Sequence, residues 1–246
     1  MSVPFYVNPE TVVREKAEFA RRNIARGRAV IALELTDGVL IASENRSTHL
    51  RKTAELYDRI AFSGVGRFSE IDSLRIAGVR LADMRGYSYH REDVTARALA
   101  NAYAQTLTTV FTNDFKPYEV EILVAQVGEA PGEPNEIYHL RFDGYVSDEH
   151  GYMVMGGEAE DISTRLADSY RDDLDLACGI ELVAQTLSSN AEEPLGPGDL
   201  EVSLLASSGG RRRFRRILRP AIEEILAHGA DHQDPPDPSI AVDPQD

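Results

Sequence analysis

Residues 29–42 leave this chain few architectures to choose from. Residues 29–35 form a near-continuous apolar run, Asp37-Gly38 follows, and residues 39–42 are apolar again. Asp and Gly tolerate positive φ, so the spacing predicts a tight hairpin through a type I′ turn at Asp37-Gly38, with both strands buried. Whatever covers that hairpin must come from the rest of the chain.

The same device recurs at Asp143-Gly144, between the alternating Tyr138, Leu140 and Phe142 and the strand-like Tyr145-Val146. Further strands are predicted over residues 60–64, over 119–127 with Val120, Ile122 and Val124 on one face, and over 200–206. In the last, Leu200, Val202 and Leu204 alternate with Glu201 and Ser203, which predicts one face in water. Helices are predicted between them. Asn8, Pro9 and Glu10 read as an N-cap, a first-turn proline and an acid at the positive helix end. Val13, Ala17, Ala20 and Ile24 then form one apolar stripe, and Gly27 closes the helix. Residues 67–86 come next, followed by a long helix capped by Asp93 with Val94, Ala98, Leu99, Ala102, Leu107, Val110 and Phe111 on a wide apolar face. A second pair is expected at 159–170 and 174–187, and a last helix at 220–228. Strands in hairpins separated by paired helices describe an α+β fold, not an alternating βαβ one.

Composition sets the outer limits. A chain of 246 residues points to one large core, and its single cysteine, Cys178, excludes an internal disulfide framework and a cysteine zinc site. A reducing, cytoplasmic setting is expected, since no secretory leader and no stretch of roughly 20 apolar residues occurs. The net charge of −15 argues against nucleic acid and anionic membranes as partners. Residues 229–246 carry five aspartates, four prolines and no Lys or Arg, so they are expected to form a disordered acidic tail. The organisation read from the sequence is a segment over 1–8, a domain over 9–228 and the tail over 229–246.

Most local motifs have plain readings. Gly64-Val65-Gly66 joins a strand to a helix, but Ser69 stands where a phosphate loop needs a glycine, so a close turn is expected. Gly156-Gly157 reads the same way. Arg211-Arg212-Arg213-Phe214-Arg215-Arg216 has one aromatic and reads as a solvated strand or a contact to an acidic neighbour, not a nucleic-acid site. His49, His90, His139, His150, His228 and His232 show no metal-binding spacing, so neither metal nor cofactor is expected. Cys178 reads as a small core residue, and no GxSxG elbow occurs.

Taken in order, several stretches resemble the α-type subunit of the 20S proteasome. They are Asn8-Pro9-Glu10, Glu18-Phe19-Ala20 and Gly27; Lys52-Thr53-Ala54-Glu55-Leu56-Tyr57-Asp58; Phe62-Ser63-Gly64-Val65-Gly66-Arg67; Arg85-Gly86-Tyr87-Ser88-Tyr89; Leu99-Ala100-Asn101; Lys116-Pro117-Tyr118-Glu119-Val120; and Met153-Val154-Met155-Gly156-Gly157. The likeness covers residues 2–228. Phe5-Tyr6-Val7 stands in place of the Tyr-Asp-Arg element of archaeal and eukaryotic members, which favours the actinobacterial branch. The resemblance implies a four-layer α/β/β/α sandwich of two antiparallel sheets, shared with N-terminal-nucleophile hydrolases. It also implies heptameric rings of this chain stacked on rings of proteolytic β subunits.

In that hydrolase class the nucleophile must begin the mature chain, because its own α-amine is the base. Here Arg28 stands at the position expected for threonine, behind a well-capped helix, so no catalytic residue is expected in this chain. The resemblance places the gate at Ser2, Val3, Pro4, Phe5, Tyr6, Val7 and Asn8, where Phe5 and Tyr6 pack at the ring axis. It places the docking site for the C-terminal tails of a ring-shaped ATPase activator at the seam between neighbouring subunits, with Lys52 receiving the terminal carboxylate and Pro9 and Gly27 nearby. The competing reading is a self-processing peptidase subunit that matures near Arg28.

Overall fold

The computed structural model describes residues 8–47, 49–130, 132–189 and 195–228. The gate residues Ser2 to Val7 and the acidic stretch 229–246 lie outside them. Ten strands form two five-stranded antiparallel sheets. The first contains β1 (Val30–Leu35), β2 (Gly38–Glu44), β8 (Tyr152–Met155), β9 (Leu200–Ala206) and β10 (Phe214–Ile217), in the order β10-β9-β2-β1-β8. The second runs in sequence through β3 (Thr53–Tyr57), β4 (Ile60–Gly66), β5 (Val120–Gln126), β6 (Glu136–Leu140) and β7 (Val146–Glu149).

Alternation within the strands divides the apolar residues among three cores. Ile31, Leu33, Leu35, Leu40 and Ala42 face outward from the first sheet, under α4 (Ala159–Ser169), α5 (Leu176–Ser188) and α6 (Arg219–His228). Val30, Ala32, Val39 and Ile41 face inward and meet Ala61, Val65, Leu123 and Ala125 of the second sheet. Ile60, Phe62, Ile122 and Val124 face the other way, under α2 (Phe68–Ser88) and α3 (Ala96–Asn113). The order of layers is therefore helices, sheet, sheet, helices, the α/β/β/α sandwich expected. A strand covered on both faces has no wet side, which is why the 29–42 stretch is apolar almost throughout.

The first helix, α1 (Pro9–Ile24), belongs to neither helical layer. Its Ala20 and Ile24 are buried in the inter-sheet core, with Ala17 packed against it, and the helix touches β4 and β5. Burying Ile24 alone contributes about 1.5–3 kcal/mol. The stripe predicted from the sequence is correct over its last two turns; Val13 is 52% exposed.

Four other expectations are corrected. Leu35 pairs with Gly38, so Thr36 and Asp37 form the loop, and Glu158 is the only described non-glycine residue with positive φ. A type I′ turn is thereby excluded; at this turn Gly38 alone takes a positive φ, and a side chain there would also strike Leu205 O, so both features call for glycine. Likewise β6 stops at Leu140, and residues 141–145 make a longer loop that turns Phe142 into the inter-sheet core. The long third helix is capped by Thr95, whose Oγ1 accepts from Ala98 N at 3.2 Å, whereas Asp93 accepts from His90 N in the preceding 3-10 turn. Finally, no face of β9 is wet: all seven residues are buried, with Glu201 and Ser203 turned between the sheets.

The Gly64-Val65-Gly66 stretch, expected as a close turn, is instead the end of β4, paired with Ile122, Glu121 and Val120; Arg67 alone links it to α2, and Gly66 takes φ +120° where a Cβ would lie 1.9 Å from Glu119 O. The arginine run forms β10 and the turn before it, where Arg212 pairs with Glu55 and Arg211 with Asp58. Cys178 lies on α5, partly buried against the outer core, and burial, with the Asp175 carboxylate second, pushes its thiol above the usual range.

Candidate functional site

Glu201 organises the ground on which the candidate site stands. Its buried carboxylate, on the first sheet, accepts from Lys52 N at 3.1 Å and Thr53 N at 3.1 Å, at the start of the second. Asn45 Nδ2 donates to the same carboxylate, and Arg216 Nη1 lies 3.6 Å from it. A carboxylate with three hydrogen-bond donors and a guanidinium beside it satisfies the condition under which a buried charge is tolerated. The effect is to pin residue 52 where the strand begins.

From there the Lys52 side chain runs toward the end of α1. Its Nζ donates to Arg28 O at 3.0 Å and Glu44 O at 3.1 Å. An ammonium has three N–H donors, so these carbonyls leave one for another acceptor. Burial disfavours the charged form and lowers the Lys52 pKa to about 8; the Glu201 and Glu44 carboxylates oppose that drop, and Arg28 adds to it. The Arg28 guanidinium, largely exposed, reaches Glu44 at 3.4 Å, and Arg46 reaches the same carboxylate at 3.5 Å.

Gly27 sits beside this cluster at the exit of α1. Its N–H donates to Ile24 O at 2.8 Å, and its carbonyl accepts from Gly157 N at 2.9 Å. A Cβ at Gly27 would lie 2.5 Å from Val65 Cγ1, and one at Gly157 would meet Ala25 O and Gly27 O at 2.7 and 2.8 Å. The two glycines therefore let the backbones close here. Beside them lies a cleft of about 210 Å³ lined by Gly27, Arg28, Glu44, Gly157, Glu158 and Ile162 among others.

The structure brings Lys52 and Gly27 together and holds Pro9 apart. Pro9 opens α1 with Asn8 as its cap, the Asn8 side chain accepting from Glu10 N at 3.1 Å. The 16 residues of the helix separate Pro9 from Gly27 by about 24 Å. Sequence reasoning missed Arg28, Glu44 and Glu201 as members of the cluster. Glu44 stands at the end of β2 and Glu201 alternates with apolar residues in β9, so neither carboxylate signals its place in the cluster from the sequence.

Arg28 lines the cleft, and the Lys52 ammonium, with one donor to spare, is held by the carbonyls of two residues that line it, Arg28 and Glu44, a pair of cations that suits a carboxylate ligand. The arrangement is poorly built for nucleophilic attack. Among the described residues, the nearby hydroxyls of Thr53 and Ser63 bond each other at 3.3 Å, and Ser63 donates to Lys52 O at 3.2 Å; no hydrogen bond joins a hydroxyl to the Lys52 amine. Among the described residues no group of three His, Cys, Asp or Glu side chains is placed to hold a metal, and no helix is long and apolar enough to cross a membrane.

Comparison with known proteins points one way. Residues 24–205 match the family model described as proteasome subunit. The chain is 49% identical to the proteasome subunit alpha of Kineococcus radiotolerans over 235 residues, covering 92% of this chain and 99% of that one. It is 50% identical to the proteasome subunit alpha of Acidothermus cellulolyticus over 231 residues, covering 92% and 98%. The subunit of the same name from a Nocardioides species is 48% identical over 250 residues, covering 100% and 97%.

Proposed function

Because the chain belongs to the proteasome subunit family and is an α-type subunit of the actinobacterial form, we propose that it is the non-catalytic, gate-forming component of the core particle. In this reading it assembles into heptameric rings that cap rings of β subunits, in the cytoplasm, and the β subunits cut the substrate.

The observation that carries the reading is the position of α1. A nucleophile whose own α-amine is the base has to start the chain at the head of β1. Here that position is Arg28, its guanidinium engaged with Glu44, and the preceding helix is fastened into the inter-sheet core by Ala20 and Ile24. Removing α1 would uncover that core, so it has the character of a structural plug and not of a leader. A closed ring needs two different, mutually complementary faces. Val12, Val13 and Phe19 on α1, together with Phe115 after α3, are exposed apolar side chains suited to one of them.

The gate then consists of Ser2 to Asn8, which leave α1 at Pro9. The docking point for an activator tail is the pocket at the other end of the same helix, where the spare Lys52 donor meets a terminal carboxylate. A single exposed ion pair contributes about 0–1 kcal/mol, so several tails on one ATPase ring act through avidity. Co-expressed with a β subunit, a chain lacking residues 2–8 is expected to raise peptide hydrolysis by the particle; unchanged rates remove the gate assignment. Lys52→Ala is expected to abolish activator binding, and retained binding removes the docking assignment.

A further inference from the structure

We propose that the arginine-lined cleft beside the turn between β9 and β10 is a binding surface for an acidic peptide, and that its occupant is residues 229–246 of the same chain. Nothing in the ring, gate or docking reading uses this cleft, which lies between that turn, the Tyr57-Asp58-Arg59 turn joining β3 to β4, and the 3-10 turn Arg91–Asp93. It has a volume of about 210 Å³ and is lined by Arg59, Arg91, Arg211 and Arg213 against Asp58, Glu92 and Glu129.

The carboxylates present do not saturate these guanidiniums. Asp58 is committed to Arg91, which grips it through two nitrogens at 3.0 and 2.7 Å while lying over the Tyr57 ring. Arg211 reaches the same carboxylate only at 3.8 Å and keeps 72% of its side chain exposed. The Arg213 guanidinium bonds a neutral carbonyl, that of Ser207, and Arg59 pairs with Glu129, which is itself 54% exposed. Arg211 therefore shares the carboxylate that Arg91 already grips, and among the described residues Arg213 pairs with no carboxylate. Forked guanidiniums of this kind favour carboxylates as ligands.

On a chain of net charge −15 such a face is unusual, and residues 229–246 supply its complement: Asp231, Asp234, Asp237, Asp243 and Asp246 with no Lys or Arg. The segment also reaches. From the turn, β10 leads back along the sheet to α6, and the four residues of the strand with the ten of the helix put His228 within about 35 Å of the turn. Extended chain covers about 3.3 Å per residue, so Asp243 and Asp246 can enter the cleft even if α6 points directly away. Each exposed pair is weak and screened by salt. Tethering offsets that weakness, because a short linker holds the segment at an effective concentration on the order of millimolar.

The test titrates a fluorescein-labelled peptide of residues 229–246 into the full chain and into a chain ending at His228. The shortened chain is expected to bind it at about 50 mM salt and to lose roughly tenfold in affinity at about 300 mM. The full chain is expected to bind roughly tenfold more weakly than the shortened one, because its own segment competes. A peptide with its five aspartates changed to asparagine is expected not to bind. Nor should the labelled peptide bind a shortened chain carrying Arg211→Ser and Arg213→Ser. The asparagine peptide leaves the protein untouched, so it decides the matter even if the double variant folds poorly. Equal binding by the two chains, binding by neither, or indifference to salt or to the aspartates overturns the proposal.

Discussion

Replacing Glu201 by alanine cuts the joint between the two sheets at one point. The carboxylate is 4% exposed and accepts from Lys52 N, Thr53 N and Asn45 Nδ2, with Arg216 beside it. Truncation strands those donors. An unsatisfied buried donor costs about 1–3 kcal/mol, and breaking a buried ion pair by removing one partner costs about 3–5 kcal/mol. The same two oxygens serve both, so the terms overlap, and the expected loss is about 3–5 kcal/mol. At about 2–4 °C per kcal/mol for a chain of this size, Tm falls by roughly 6–20 °C. Thermal and urea melts of the isolated chain check this, with the urea midpoint moving at constant slope. Glu201→Gln keeps one acceptor and is expected to lie between the two. A second effect follows at Lys52, whose ammonium Glu201 supports against burial: both variants push its pKa further below about 8. A loss under about 1 kcal/mol for Glu201→Ala would refute the reasoning, because the strand starts would then be held by something other than this carboxylate.

The remaining predictions concern charge, backbone and caps. Binding of a carboxylate-terminated peptide at Lys52 should weaken as pH rises through about 8, where the amine loses its proton, and Lys52→Arg should abolish that dependence in a fluorescence titration. The linked stability effect has the opposite sign. The unfolded chain keeps the Lys52 proton up to its ordinary pKa of 10.5, so between about 8 and 10.5 it binds more protons than the folded chain, and this group's contribution to stability rises with pH across that window. Gly66→Ala forces a Cβ to within 1.9 Å of Glu119 O at φ +120° and should cost at least about 2 kcal/mol in urea unfolding. Thr95→Ala removes a helix cap and should cost about 1 kcal/mol by the same measure, while Asp93→Ala should cost less, because Asp93 serves only the exposed N–H of His90.

The layered fold was legible in the sequence wherever apolar periodicity was strong. The 29–42 hairpin, the helices and the strand at 119–127 all stand where the pattern put them. What stayed hidden depends on neighbours distant in the chain. Glu201 alternates with apolar residues and reads as solvent-facing; only the second sheet, bringing the N–H groups of residues 52 and 53, turns that position into an interior one. Tyr152–Met155 is a four-residue strand that shows no clear alternation, and it forms because the edge of β1 is there to pair with. Both Asp-Gly pairs read as turn centres, yet glycine in each case takes the position just after the turn, where a Cβ would strike Leu205 O at Gly38 and Thr108 Oγ1 and Ala104 O at Gly144. At the site, Lys52 Nζ reaches the carbonyl of Arg28 beside Gly27, a convergence that their spacing in the chain does not show, whereas the far position of Pro9 follows from the helix read between Pro9 and Gly27.

The most direct check is the intact mass of this chain, taken from particles assembled with a β subunit, together with its activity when purified alone. An α1 that remains in place, plugging the inter-sheet core ahead of Arg28, predicts a chain that still carries the helix and cleaves no peptide by itself. A mature chain starting near Arg28 or Ala29 that hydrolyses peptides unaided would contradict the assignment at its root.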